Sequence, residues 1–337
     1  MKAIIAILMI LLVGCQQKKE NVTTFGGTAM TIEYKIIIGH PLTKESQIRI
    51  EKIIAGAFQE IDAVFNKWNP DSEISRINRL KANVPATISS ELQNFLTFTQ
   101  QIVELSEGRF DPTIEPAQKL WKNALEQGHT PSDKEVADVS DVIGWNKIHF
   151  AEGLFVKDHD QTSLDLGGIA KGYCVDLLVE RLNDAGYSDV YVEWGGEIRA
   201  NGQHPDQRPW TIFISRLGDT NPEHAVATLG LKDQAIATSG DYLQNWTIPH
   251  AKKNQDEGLI TYFHIVDPKT ARPLVADQKT IASVSVIAGN CALADGLATA
   301  AMLFPSVEEA QSWADKVKNK HPEIAFWLIS RDNMSDP

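Results

Sequence analysis

Leu164 to Gly202 reads LDLGGIAKGYCVDLLVERLNDAGYSDVYVEWGGEIRANG, and this stretch decides the fold. An apolar strand end, Ser163 to Leu166, runs into Gly167-Gly168 and straight into a helix. Backbone N–H groups and a positive helix terminus then face whatever lies above the glycines, which makes an anion seat. The helix keeps Ala170, Cys174, Leu177, Leu178, Leu182 and Ala185 on one stripe and stops at Gly186, a C′ residue. Asp189 to Trp194 reads as a buried strand ending in a second pair, Gly195-Gly196. Neither G-x-G-x-x-G nor the G-x-x-x-x-G-K-[ST] phosphate loop is present, so the glycines fit tight helix–strand packing as well as ligand binding. Residues elsewhere must decide between the two.

Across 337 residues the chain is 43% hydrophobic and 23% charged, the balance of a globular protein with a sizeable core. Its net charge of −12, without a basic run, argues against nucleic acid as a partner. An anionic ligand therefore needs local help from N–H groups, a cationic side chain or a metal ion. At the N-terminus Lys2, the apolar run Ala3 to Val13 and Leu12-Val13-Gly14-Cys15 look like a bacterial lipoprotein signal. That pattern divides the chain into a signal over 1–14, a lipidated Cys15 with a polar tether over 15–25, a single domain over 26–330 and a frayed end over 331–337. An ordinary secretory signal is the alternative. Acylation at Cys15 would anchor the protein to a membrane, facing the periplasm or exterior. Cys174 and Cys291 fall on apolar helical segments and read as buried free thiols, and no Cys/His cluster suggests zinc.

Along the chain, Thr28 to Ile38 alternates as a half-buried strand of an antiparallel sheet. Lys44 to Phe65 and Ser89 to Ser106 have helical spacing, the second closed by Gly108. Asp71 or Ser72 caps a short helix after a turn that carries Trp68. Arg109 to Pro116 is too proline-rich for regular structure, and such rigid loops carry sites. Lys147 to Leu166 reads as two or three short strands. His264 and Asp267 precede a proline turn. The helix Cys291 to Phe304, capped by Asn290, is nearly all apolar yet carries Asp295 and Thr299 four apart on one face. A buried carboxylate needs a cation, a set of donors or a proton, so Asp295 is the chain's clearest chemical signal.

Eight segments together resemble the FAD:protein FMN transferases, the ApbE-type flavin transferases: Gly27-Thr28, Trp68 to Asn78, Gly108 to Pro116 with Leu120-Trp121, Asp165 to Asp176, Glu193 to Gly202, Ala237 to Tyr242, His264 to Pro273 and Ala294 to Ala300. They follow the family's order over nearly all of the mature chain. The resemblance implies an α+β fold of T-fold type, antiparallel sheets flanked by helices, with FAD between its halves and Mg²⁺ at the pyrophosphate. Carried over residue by residue, Gly168 gives its carbonyl to the metal, while Asp295 and Thr299 give a carboxylate and a hydroxyl. FAD contacts fall to Trp68, Arg109, Phe110, Asp111, Asp165, Lys171 and Val266. Trp68 or Phe110 either stacks on a ring or covers core. Asp111 or Asp165 either accepts from a ring or caps a turn, and Lys171 either reaches phosphate or is a solvated helix lysine. Ser239, Gly240, Asp241 and Tyr242 match a stretch lining the cleft. Two departures stand out: Gly26 where the family often has methionine, and Ala271 where it often has glycine.

The implied reaction splits FAD at its pyrophosphate and moves the FMN half to a threonine hydroxyl of another protein, releasing AMP. His264 is the candidate base, since imidazole ordinarily titrates near neutral pH, with a hydrogen-bonded loop histidine as the alternative. The acceptors implied are a flavoprotein subunit of an Nqr- or Rnf-type redox complex or an extracytoplasmic FMN-binding protein. Two other readings use the same site: a Mg²⁺-dependent FAD pyrophosphatase, and a non-enzymatic FAD-binding lipoprotein.

Overall fold

The computed structural model describes residues 22–214, 223, 225, 227–240, 244–251, 257–277 and 280–331. The expected signal over 1–14, Cys15, tether residues 16–21, Asp241, Tyr242 and residues 332–337 lie outside the described residues. Numbered in chain order, β1 (Thr23–Ala29), β2 (Ile32–Ile38), β6 (Val190–Trp194), β7 (Glu197–Asn201), β10 (Gln234–Gly240), β14 (Ile281–Ala288) and β15 (Ala325–Ser330) lie side by side in that order as one sheet. Every neighbouring pair is antiparallel. Smaller sheets are built from β3 (Ala86–Thr87), β4 (Ile148–Ala151) and β5 (Leu154–Lys157), from β8 (Trp210–Ile214) and β9 (Ala227–Leu231), and from β11 (Asn245–Ala251), β12 (Glu257–Asp267) and β13 (Arg272–Val275). The helices are α1 (Lys44–Phe65), α2 (Glu73–Asn78), α3 (Ser90–Leu105), α4 (Glu115–Glu126), α5 (Asp133–Ser140), α6 (Ala170–Asp184), α7 (Cys291–Met302) and α8 (Val307–Lys320). This is the α+β architecture expected, antiparallel sheets flanked by helices.

Strand alternation sorts the large sheet into two faces. Ile36, Ile38, Val190, Val192 and Ala237 point into the main core beneath α6 and α7, while Tyr191, Ile198 and Ile236 point the other way onto Trp210 and Ile212 of β8. Both core helices follow from local chemistry. The Asn290 side chain caps α7 by accepting from the Leu293 amide at 2.8 Å. At the far end of α6, Gly186 adopts φ +94° and the Tyr187 amide reaches the Leu182 carbonyl, a Schellman closure. Cys174 and Cys291 are both buried and free.

Several local expectations are corrected. The strand expected over Thr28 to Ile38 is a hairpin, because Met30 and Thr31 take φ of +47° and +68° and turn the chain between β1 and β2. Strand β1 starts at Thr23, inside the expected tether. Glu115 and Pro116, read as loop, open α4, where proline suits the first turn because it lacks the N–H that would go unused. Ser163 to Leu166 is not a strand. Instead the Asn78 side chain donates to the Leu164 carbonyl at 2.9 Å and accepts from its amide at 2.7 Å, replacing a strand neighbour. Arg331 is not frayed: its amide donates to the Thr280 carbonyl.

The two core helices meet at Gly172. A Cβ there would lie 2.6 Å from the Cys291 carbonyl carbon and 2.8 Å from Ala292 Cα, both backbone atoms that cannot step aside. Across this contact the helices exchange carboxylates. Asp176 of α6 accepts from the Cys291 and Ala292 amides at 2.8 and 2.9 Å, and Asp295 of α7 accepts from the Gly172 amide at 3.2 Å. Gly172→Ala should therefore force the helices apart and cost about 2 kcal/mol or more of stability, read as a lowered urea midpoint. An unchanged midpoint would show that the contact is not as tight as described.

Candidate active site

The helix crossing forms one wall of a cavity of about 300 Å³ whose lining includes Arg109, Phe110, Asp111, Asp165, Gly168, Lys171, His264, Val266, Asp295 and Thr299. Ten of the residues singled out from the sequence thus meet in one place, from α6, α7, β12 and two loops. Trp68 does not line it. That side chain stands 76% exposed on its loop, with the Lys67 and Lys122 ammonium groups 5.1 and 5.9 Å from its ring. Ser239 and Gly240 do line the cavity, and the Ser239 hydroxyl lies 3.2 Å from that of Thr299. Two larger cavities, of about 610 and 810 Å³, lie against α4 and α5 and against β1 and α1. Neither contains any of the metal-ligand residues expected from the sequence, so chemistry rather than volume marks the site.

Gly168 is the hinge of the wall. A Cβ there would stand 3.2 Å from both the Phe110 ring and the Thr299 hydroxyl, so glycine brings the backbone bend onto α7 beside the oxygen of Thr299. The anion seat is narrower than the sequence suggests. The Gly167 amide donates to Asp165 Oδ1 at 2.9 Å, which leaves the Gly168 amide for a ligand. The other oxygen of Asp165 takes the Lys67 ammonium at 2.9 Å. Burial works to raise the Asp165 pKa, but Lys67, the Gly167 amide and Gln118 together more than offset it and the carboxyl stays below its ordinary range.

Several lining residues also hold the walls together. Asp111 accepts from the Thr113 amide and hydroxyl and from the Trp145 amide, at 2.7 to 2.9 Å, which fastens its loop; burial pushes its pKa up. The Arg109 guanidinium donates to the Leu303 carbonyl at 2.6 Å and lies over the Phe304 ring, securing the C-terminal end of α7. His264 places Nδ1 3.3 Å from the Gln244 carbonyl. A carbonyl can only accept, so in the neutral ring Nδ1 carries the proton and Nε2 the lone pair.

The charged centre is Asp295, Lys171 and a residue not singled out from the sequence, Glu197. Asp295 is 3% exposed and its pKa is raised by burial, partly offset by the Lys171 charge and the Gly172 amide. Glu197 is 2% exposed; burial and the neighbouring Asp295 charge push it up to about 7 against the pull of Lys171. The Lys171 ammonium contacts Glu197 Oε1, and although burial acts to lower its pKa, the Asp295 and Glu197 charges raise it above the ordinary lysine value. The signal for Glu197 was present, a glutamate directly after a glycine pair at the head of the alternating strand Glu197-Ile198-Arg199-Ala200-Asn201. Its weight appears only when β7 is seen to pass beneath α6.

Both departures from the family pattern find a local explanation. Ala271 is buried at φ +51°, a left-handed conformation that costs an L-residue about 1 kcal/mol and that glycine adopts freely. Its carbonyl accepts from the Trp121 indole at 2.8 Å, which helps hold the turn after β12. Gly26 has room for a side chain, since a Cβ would meet nothing nearer than the Tyr34 carbonyl at 3.5 Å.

Comparison with known proteins identifies the family. A protein of Chlamydia pneumoniae named FAD:protein FMN transferase is 40% identical over 312 residues, 92% of this chain and 93% of its own length. One of the same name from Haemophilus influenzae is 30% identical over 339 residues, 98% of this chain and 93% of its own. The crystal structure of the Pseudomonas stutzeri flavinyl transferase ApbE in its apo form superposes with a TM-score of 0.77 at 25% identity, covering 94% of this chain and 93% of that one. Residues 27–325 match the sequence profile of the ApbE family, and the chain belongs to that family.

Proposed function

We propose that this protein is a FAD:protein FMN transferase: it cleaves FAD at the pyrophosphate and joins the FMN phosphate to a threonine hydroxyl of a second protein, with AMP as the leaving group. The observation that carries the reading is the meeting of Asp295, Thr299 and Gly168 over one cavity with His264 on its rim. Relatives carrying that name over nearly the full chain support it.

A divalent cation suits the oxygens gathered there. Asp295 is buried, raised in pKa and held among the described residues by the Gly172 amide, so a cation beside it would relieve the cost of its charge. Asp295, Thr299 and the Gly168 carbonyl would hold Mg²⁺, which prefers such hard oxygen ligands and, when bound, neutralises charge on the phosphate oxygens. The chain's own groups do the rest. The Gly168 amide at the start of α6 donates to a phosphate oxygen, and Lys171 adds fixed positive charge. Phe110 and the Asp111 loop, fastened to Thr113 and Trp145, shape the wall against which the flavin dinucleotide lies. Nε2 of His264 takes the proton of the attacking threonine as its oxygen bonds to phosphorus, and the bridging oxygen leaves with AMP.

The Leu12-Val13-Gly14-Cys15 sequence supports a lipid anchor at Cys15, which would hold the enzyme on the extracytoplasmic side of a membrane. Acceptors of the Nqr or Rnf type, or extracytoplasmic FMN-binding proteins, share that location.

Incubation with FAD, Mg²⁺ and an acceptor protein should add the mass of an FMN phosphoester to an acceptor threonine. Asp295→Ala should reduce the labelling rate at least about a hundredfold, the scale of lost charge stabilisation at a phosphoryl centre. Free FMN formed at full rate with no acceptor gain would assign the site to hydrolysis instead. His264→Ala should lower the rate by about 10²- to 10⁴-fold while FAD binding, followed by flavin fluorescence, stays intact; labelling at the normal rate removes His264 from the reaction.

A further inference from the structure

Glu197 has no part in the transfer as described, yet it is as enclosed as Asp295 and faces the same cavity. It opens β7 directly after the Gly195-Gly196 turn, where φ is +66° and +100°, and pairing with Trp194 fixes its backbone. The turn leaves it room: a Cβ at Gly195 would strike Ile32 at 2.8 Å and stand 3.4 Å from Glu197 Oε2 and 3.6 Å from Lys171 Cδ. Oε1 of Glu197 binds the Lys171 ammonium, and Oε2 is buried without a hydrogen-bond partner among the described residues. Lys171 precedes Gly172, the residue whose amide holds Asp295. The ammonium feels both carboxylates, but among the described residues its ion-pair contact is with Glu197 and not with Asp295.

We propose that Glu197 is a positioning residue: by tying the Lys171 ammonium to β7, it keeps Asp295 open to a divalent cation. The inference rests on the reading that Asp295 holds such a cation. Lysine is a compact point charge on a flexible stem and moves to whichever carboxylate holds it best. A carboxylate anchored on a paired strand, with one oxygen otherwise unpartnered, outcompetes one already bonded to an amide. Without the Glu197 charge, Asp295 is the remaining anion of the centre, and Lys171 swings onto it. An arriving divalent ion must then evict a cation from its own seat.

The test is Mn²⁺ binding to the full chain, followed by electron paramagnetic resonance with Mn²⁺ alone as the probe, so that no turnover is read. Wild type should bind and Asp295→Ala should not. Glu197→Gln should weaken Mn²⁺ binding about tenfold or more, the scale of losing an outer-shell partner of a metal ligand. Adding Lys171→Met should restore it to within about twofold of Lys171→Met alone, because the competing ammonium is gone. If Asp295→Ala binds like wild type, the cation reading falls and this inference with it. If Asp295→Ala loses Mn²⁺ while Glu197→Gln binds like wild type, the inference alone is overturned. It is equally overturned if the double variant stays as weak as Glu197→Gln, since the effect then does not pass through Lys171. Should Glu197→Gln lose its folded circular dichroism spectrum, Glu197→Asp serves in its place. Its carboxylate, one carbon shorter, should give binding weaker than wild type that Lys171→Met again restores, and wild-type binding in that variant counts against the inference.

Discussion

At Gly172 the backbone of α6 lies directly on the first turn of α7, with no side chain between them. Each helix then supplies the carboxylate that satisfies the other's N-terminal amides, Asp176 to α7 and Asp295 to α6. Orphan amides at a buried helix start must find acceptors, and here they find them across the crossing. Arg199 of β7 contacts Asp176 at 2.7 Å and balances the charge on that side. On the other side Asp295 is left partly compensated beside a cavity, the imbalance on which the proposed function rests.

The remainder of the fold serves to bring oxygen and charge to this point. The glycine bend at 168 lets the chain approach Thr299, and the Gly195-Gly196 turn lets Glu197 and Lys171 share a small space under the helix. The protein's overall negative charge would repel a diphosphate, so attraction must be local. In the proposed function Lys171, the Gly168 amide and a cation at Asp295 would supply it, in a buried setting where low dielectric makes each charge count for more than on the surface.

Much of the helical framework was legible in the sequence. The apolar periodicity of α1 and α3, the Asn290 cap of α7 and the Gly186 stop of α6 are local features, each set by residues within a turn of one another. The acid in an oily helix at Asp295 was also legible, because burial of a charge is a contradiction visible without coordinates. Trp68 shows the converse: an aromatic on a loop gave no sign of where its ring would point, and it points outward. The missed hairpin at Met30 and Thr31 lacks the glycine or asparagine that normally marks such a turn, and Asn78 replaces a strand neighbour from 86 residues away.

The sequence by itself determined much of the helical framework, where an unusual buried charge lies, and through its ordered motifs the family to which the chain belongs. Only the tertiary structure decided which charges face one another. Asp295 and Lys171, 124 positions apart in the chain, share a field because two helices cross at a glycine, and Glu197 joins them because a strand passes beneath. Hydrophobic periodicity specifies which face of each element is buried. It is silent on the register at which buried faces meet, and that register is set by close-packed contacts between residues far apart in sequence.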